Sequence, residues 1–224
     1  MEKETGLKYS EYDETYYAML IANSDSVGKS RNSNINPVCM ATEVKDGTAV
    51  YTPLNKSLKN PQFMDFVNFD YNVFVSEKIK TQLDSVIPSI NNGKEGPGFF
   101  KTPSYLKAGS DYHTYYGLYF PEYKFVDKTH LSLIEGSKGI IYHGDSTDGL
   151  YDITYISFKA GTIKKIPEEM RIIFELDFHK LSWKFCLKTI KEKIESCGAT
   201  GIQFEKSKDR NWYNEEIHKA IKSI

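Results

Sequence analysis

Cysteine is scarce and unpaired. Cys39, Cys186 and Cys197 are the three in the chain, an odd number with no C-x-x-C spacing. This excludes a disulfide framework and suits a reducing compartment. Arginine is also scarce, at Arg31, Arg171 and Arg210, and bidentate readout of phosphates and base edges relies on it. The 29 basic and 30 acidic residues leave a net charge of -1, without the cationic surplus that nucleic acid requires as principal ligand. No apolar run reaches the 18 residues of a membrane span. The first residues, Met1-Glu2-Lys3-Glu4-Thr5 and onward through Tyr9-Ser10-Glu11, hold no apolar stretch of the kind found in a secretory signal. A cytoplasmic location follows as an expectation.

Motifs that carry chemistry are equally sparse. Gly28-Lys29-Ser30 ends like a phosphate-binding loop, but the glycine required five positions earlier is Asn23, which denies the backbone its freedom to wrap a phosphate. Asp145-Ser146-Thr147-Asp148-Gly149 has acidic residues in a turn, without the alternating ligands and final bidentate glutamate of a calcium loop. The five histidines, His113, His130, His143, His179 and His218, show no zinc spacing. His143 beside Asp145 is the most suggestive pair. No G-x-S-x-G elbow occurs. Catalytic residues, cofactor and metal are therefore all expected to be absent.

What is present is a chain of 224 residues, 40% of them hydrophobic, large enough to bury a core without staples. The pattern predicts an α+β fold: mixed, largely antiparallel sheets with a few packed helices, in one domain or two lobes. Strands are expected at 15–21, at 38–40 and 48–51 on either side of the hairpin signal Asp46-Gly47, and at 69–75. A helix capped by Ser76 carries Ile79, Leu83 and Val86 on one face. Residues 23–37 read as an exposed loop. Residues 88–110, with Asn91-Asn92-Gly93 and Gly96-Pro97-Gly98, read as poor in regular structure. They supply the candidate boundary: a lobe over 1–92, a linker over 93–110, and a lobe over 111–224, with one continuous domain as the alternative. Strands follow at 139–142 and 151–158 around a loop at 143–149. The last third predicts strands at 171–176 and 183–185. A helix then places Leu187, Ile190, Ile194 and Cys197 on one face, with Gly198 as a left-handed cap. A closing strand spans 200–204, and a short helix near 217–224 ends the chain. Residues 72–83 and 183–194 echo one another as strand then helix; the echo reads as two ordinary units of that type, with duplication as the alternative.

Sixteen tyrosines are the compositional anomaly. Tyrosine is stiff and amphipathic and favours contact surfaces. The cluster Tyr112, Tyr115, Tyr116, Tyr119 and Tyr123 is the candidate recognition surface, with Asp145 and Asp148 as candidate partner-binding acids from the nearby loop.

Two passages resemble a known family. They are Asp65-Phe66-Val67 with Val73-Phe74-Val75-Ser76-Glu77-Lys78-Ile79, and Ile172-Ile173-Phe174 through Trp183-Lys184-Phe185 to Gly198-Ala199-Thr200-Gly201-Ile202-Gln203-Phe204. Together they resemble the eleventh named family of bacterial polymorphic-toxin immunity proteins, over about half the chain. A serine expected before the second helix is replaced at Cys186-Leu187. The resemblance implies a cytoplasmic, non-catalytic inhibitor, monomeric or homodimeric, whose partner is a cognate toxin rather than a nucleic acid or membrane. The alternative is a small enzyme acting on a polar substrate such as a glycan or nucleotide, using groups around 112–123 and 143–149.

Overall fold

β-branched and aromatic residues dominate the runs that become strands, because their side chains pack well on a pleated surface. In the computed structural model, residues 11–21, 34–69, 72–124, 134–136, 139–141, 150–152, 156–158, 160–178 and 181–206 are described. The strands of the first half are β1 (Tyr16–Ile21), β2 (Cys39–Lys45), β3 (Thr48–Pro53), β4 (Phe66–Phe69) and β5 (Asn72–Ser76). Helix α1 (Glu77–Leu83) follows, then β6 (Ser89–Ile90), β7 (Gly98–Phe100), β8 (Ser104–Ala108) and β9 (Asp111–Tyr119). Five short strands come next: β10 (Glu122–Lys124), β11 (Ile134–Gly136), β12 (Gly139–Ile141), β13 (Leu150–Asp152) and β14 (Ile156–Phe158). The chain continues through α2 (Ala160–Ile163), β15 (Ile173–Phe178), β16 (Leu181–Leu187), α3 (Lys188–Ser196) and β17 (Ile202–Lys206). The fold is α+β and mostly β. Among the described residues no helix is long and apolar enough to cross a membrane.

Two larger sheets organise these elements. One has the order β10-β15-β16-β1-β17. The other runs β2-β3-β8-β9-β5-β4, with β7 pairing β9 beyond β8 and β6 pairing β7. Within them lies the same unit twice: an antiparallel hairpin, a helix, and a strand that returns. The first copy is β4-β5-α1-β7 and the second is β15-β16-α3-β17. Each unit is completed by a strand from the other half of the chain. β1 pairs β16, with Tyr16, Tyr17 and Ala18 opposite Leu187, Cys186 and Phe185. β9 pairs β5, with Tyr115, Tyr116 and Gly117 opposite Ser76, Val75 and Phe74.

The equivalence is residue by residue. Thr15-Tyr16-Tyr17-Ala18-Met19 matches Thr114-Tyr115-Tyr116-Gly117-Leu118. Phe99 lies opposite Leu118 on one side, and Phe204 opposite Met19 on the other. The Ser76 N–H donates to Asp65 O at 2.9 Å, and the Leu187 N–H to Ile172 O at 2.9 Å. The echo between 72–83 and 183–194, read from sequence as two ordinary units, is therefore part of an internal repeat with exchanged strands.

The exchange explains the core. One face of each sheet and both long helices share a central cluster. It takes Met19, Ile173, Cys186, Ile190 and Ile194 from one sheet and α3, and Phe66, Val75, Ile79, Leu83, Phe99 and Leu118 from the other sheet and α1. Each sheet's outer face has its own smaller cluster. Tyr16, Ala18, Phe158, Phe174 and Phe185 form one; Val67, Phe69, Phe74, Leu106 and Tyr115 form the other.

The expectations for α3 hold: Ile190 and Ile194 are buried, and Gly198 has φ +61°. The 69–75 strand is β5 preceded by a separate partner, β4, rather than one run. Ser76 stands at the N-cap with extended φ and ψ but makes no capping bond; its hydroxyl donates to Asp65 Oδ1 at 2.7 Å. Residues 93–110, expected as a linker, contain β7 and β8, and both sheets draw strands from either side of that boundary. The expected helix near 217–224 lies outside the described residues, as does most of the 23–37 loop.

Candidate functional site

Asp46 and Gly47 both have positive φ, +52° and +77°, the backbone of the two-residue turn whose twist suits a tight hairpin. This turn joins β2 to β3. β3 continues the sheet through β8, but β2 is the last strand in the order. Every residue from Met40 to Lys45 is exposed, including Met40 at 51% and Val44 at 72%. A register shift between Ala41 and Glu43 puts a bulge in this edge. Bulges and charges such as Glu43 and Lys45 blunt edge-to-edge pairing, so the hairpin presents side chains more readily than backbone.

Cross-strand register assembles a polar–aromatic patch beside it. Lys107 lies opposite Tyr112, and Lys45 Nζ sits 4.0 Å from the centre of the Tyr112 ring. Lys107 Nζ is 5.4 Å from the same centre, and Tyr105 meets Tyr112 edge-on at 6.1 Å. Glu43 Oε1 accepts from Lys107 Nζ at 3.3 Å and from the Tyr112 hydroxyl at 3.4 Å. Hydrogen bonding to Tyr112 and Glu43, with the Glu43 charge, raises the Lys107 pKa, so its ammonium stays charged. The patch is a half-exposed aromatic pair held between two cations and one carboxylate.

The tyrosines singled out from sequence divide sharply. Tyr112 belongs to this patch. Tyr116 is half-buried against the central core, with Lys80 Nζ 5.1 Å from its ring centre. Tyr119 packs on Phe100 at 6.2 Å and covers Gly93, where any Cβ would come within 2.5 Å of its ring. Tyr115 and Tyr123 do not reach the surface: they are 4% and 9% exposed. Their hydroxyls donate to Met64 O at 2.7 Å and Met170 O at 3.1 Å. Burial raises both pKa values. Both act as core residues with one satisfied polar atom. Asp145, Asp148 and His143 lie outside the described residues. Glu43, Lys45, Tyr105 and Lys107 were not singled out from sequence. The Asp46-Gly47 turn marked the hairpin but not its exposure.

The other face of the same sheet carries a cleft of about 490 Å³. It is lined by Tyr51, Phe74, Phe100 and Gly117 and by polar residues including Asn72 and Lys101. Among the described residues no group of three or more His, Cys, Asp or Glu is placed to hold a metal ion. Cys39 and Cys186 are buried. Burial pushes the Cys39 thiol up to about 12 and raises Cys186 as well, which makes both poor nucleophiles. No protein-family model matches the chain, and no curated protein matches it.

Proposed function

We propose that the protein binds and neutralises a cognate toxin of a bacterial toxin–immunity pair, in the cytoplasm and without catalysis. The observation that carries this reading is the β2–β3 hairpin. Its exposed Met40 and Val44 adjoin a Tyr105–Tyr112 pair on β8 and β9 that is braced by Lys45 and Lys107. Braced aromatics lose little conformational freedom on docking, and tyrosine is a frequent hot-spot residue at protein contacts. The resemblance of the two strand–helix passages to an immunity family supports the same reading. The hairpin rim has both charge signs, which favours a protein surface of mixed polarity over a polyanion.

Isothermal titration of the full chain with the protein encoded by the adjacent gene tests this. Tight one-to-one binding is expected, weakened by about 2 kcal/mol or more in Tyr112→Ala, with unchanged circular dichroism. A neighbouring product that does not bind, or is not toxic, overturns the reading.

A further inference from the structure

The internal repeat allows the cleft to be compared with the same place in the other half. Phe69 lies opposite Asn72 in β4–β5, and Leu176 opposite Trp183 in β15–β16. Asn72 is thus the counterpart of Trp183, as Gly117 is of Ala18. In the second half the Trp183 side chain packs against the outer core with Phe158 and Phe185. In the sheet that holds β5 and β9 both positions carry smaller residues, Asn72 is exposed, Phe100 packs on Gly117, and both positions line the cleft. The Trp183 position of one sheet thus carries an indole packed on the outer core, where its counterpart in the other sheet carries an exposed asparagine beside a cleft.

We propose that this cleft receives an aromatic side chain of the protein partner, next to a carboxylate on that partner. The claim rests on the toxin-binding reading and names a contact within it. Three features define the occupant. Tyr51, Phe74 and Phe100 line the cleft among polar groups such as Asn72 and Ser104, and ring-to-ring contacts favour an aromatic guest over an aliphatic one. The volume, about 490 Å³, is in the range of pockets that bury small ligands. Among the described lining residues Lys101 is the one charged side chain, and it is exposed, so an adjacent acid on the partner complements the rim. The cleft borders Gly47, Ala49 and Tyr51 of the β2–β3 hairpin. A partner gripping that hairpin would contact the Tyr112 patch on one face and the cleft on the other.

The test uses the full-length ¹⁵N-labelled protein and three probes: indole-3-acetate, neutral indole-3-acetamide, and acetate. Saturable amide shifts at Phe100, Lys101 and Gly117 are expected with indole-3-acetate, at a dissociation constant on the order of 1 mM for so small a ligand. Indole-3-acetamide should bind about two- to fivefold more weakly, the usual size of an exposed ion-pair effect, and acetate should produce no saturable shift there. Asn72→Trp installs the residue the other half uses and should abolish the shifts with circular dichroism retained. Lys101→Ala, at an exposed position, should erase the preference for the carboxylate probe. No saturable shift in the wild-type protein, or equal affinity for both indoles, overturns the proposal whether or not Asn72→Trp folds. With the adjacent gene product, equal binding by wild type and a folded Asn72→Trp overturns the cleft contact but leaves the toxin-binding reading standing. Probe binding without toxin binding overturns the toxin-binding reading and the partner contact with it, and leaves only a cleft that takes an aromatic carboxylate.

Discussion

Asp65 carries more of the fold than its place before a strand suggests. Its carboxylate accepts from Ser76 Oγ, from Lys78 Nζ at 3.0 Å, and from the Thr200 N–H at 3.0 Å. It therefore ties the first hairpin to the loop before β17. Burial pushes its pKa up, but the hydrogen bonds from Ser76, Thr200 and Lys78 outweigh that and hold it below the ordinary carboxylate value. A depressed folded-state pKa contributes stability that is present above the unfolded value, about 4, and lost as pH falls through the folded one. Asp65→Ala is expected to cost about 1–3 kcal/mol at pH 7 and to flatten the acid side of the stability–pH curve. Urea titrations between pH 2 and 7 check both, and an unchanged acid limb contradicts the assignment. Tyr115 gives the second prediction at this scale. Tyr115→Ala should destabilise by about 3–5 kcal/mol, as for other large buried rings, whereas Tyr112→Ala should leave the thermal midpoint nearly unchanged. Equal effects in thermal melts would show that the buried and exposed tyrosines have been confused.

At the scale of elements, α3 was readable because it obeys one periodicity with a glycine at its end. Ile190 and Ile194 are buried in the shared core, and Ile194→Ala should cost about 2–5 kcal/mol; an unchanged denaturation midpoint would show the wrong face was assigned. The Asp46-Gly47 hairpin was readable for a similarly local reason, since its turn needs two residues of positive φ. β7 and β8 were not readable. Their segment is rich in glycine and proline, and it is extended through pairing with β9, a partner distant from local propensity. The tyrosines of β9 failed for a different reason. Alternation does place Tyr115 and Tyr116 on opposite faces, but β9 is central in its sheet and both faces are covered there, by the central core and by the outer one. Toward its start the cover falls away: Asp111 and His113 are exposed on one face and Tyr112 is half-buried on the other. The repeat Thr-Tyr-Tyr at 15–17 and 114–116 was the signal that would have revealed the exchange.

At the scale of the whole molecule, exchange makes the two halves interdependent. Each hairpin is flanked on its inner side by a strand from the other half, and both helices contribute to one central core. The reading of the cleft as lying beside the counterpart of Trp183 depends on that arrangement, so strand exchange is the claim on which the rest stands. Cross-strand nuclear Overhauser contacts measure it directly in the labelled full-length protein. The expected contacts join Tyr17 to Cys186 and Tyr116 to Val75. Contacts joining Tyr17 to Val75 and Tyr116 to Cys186, with each half closed on its own strand, would contradict it.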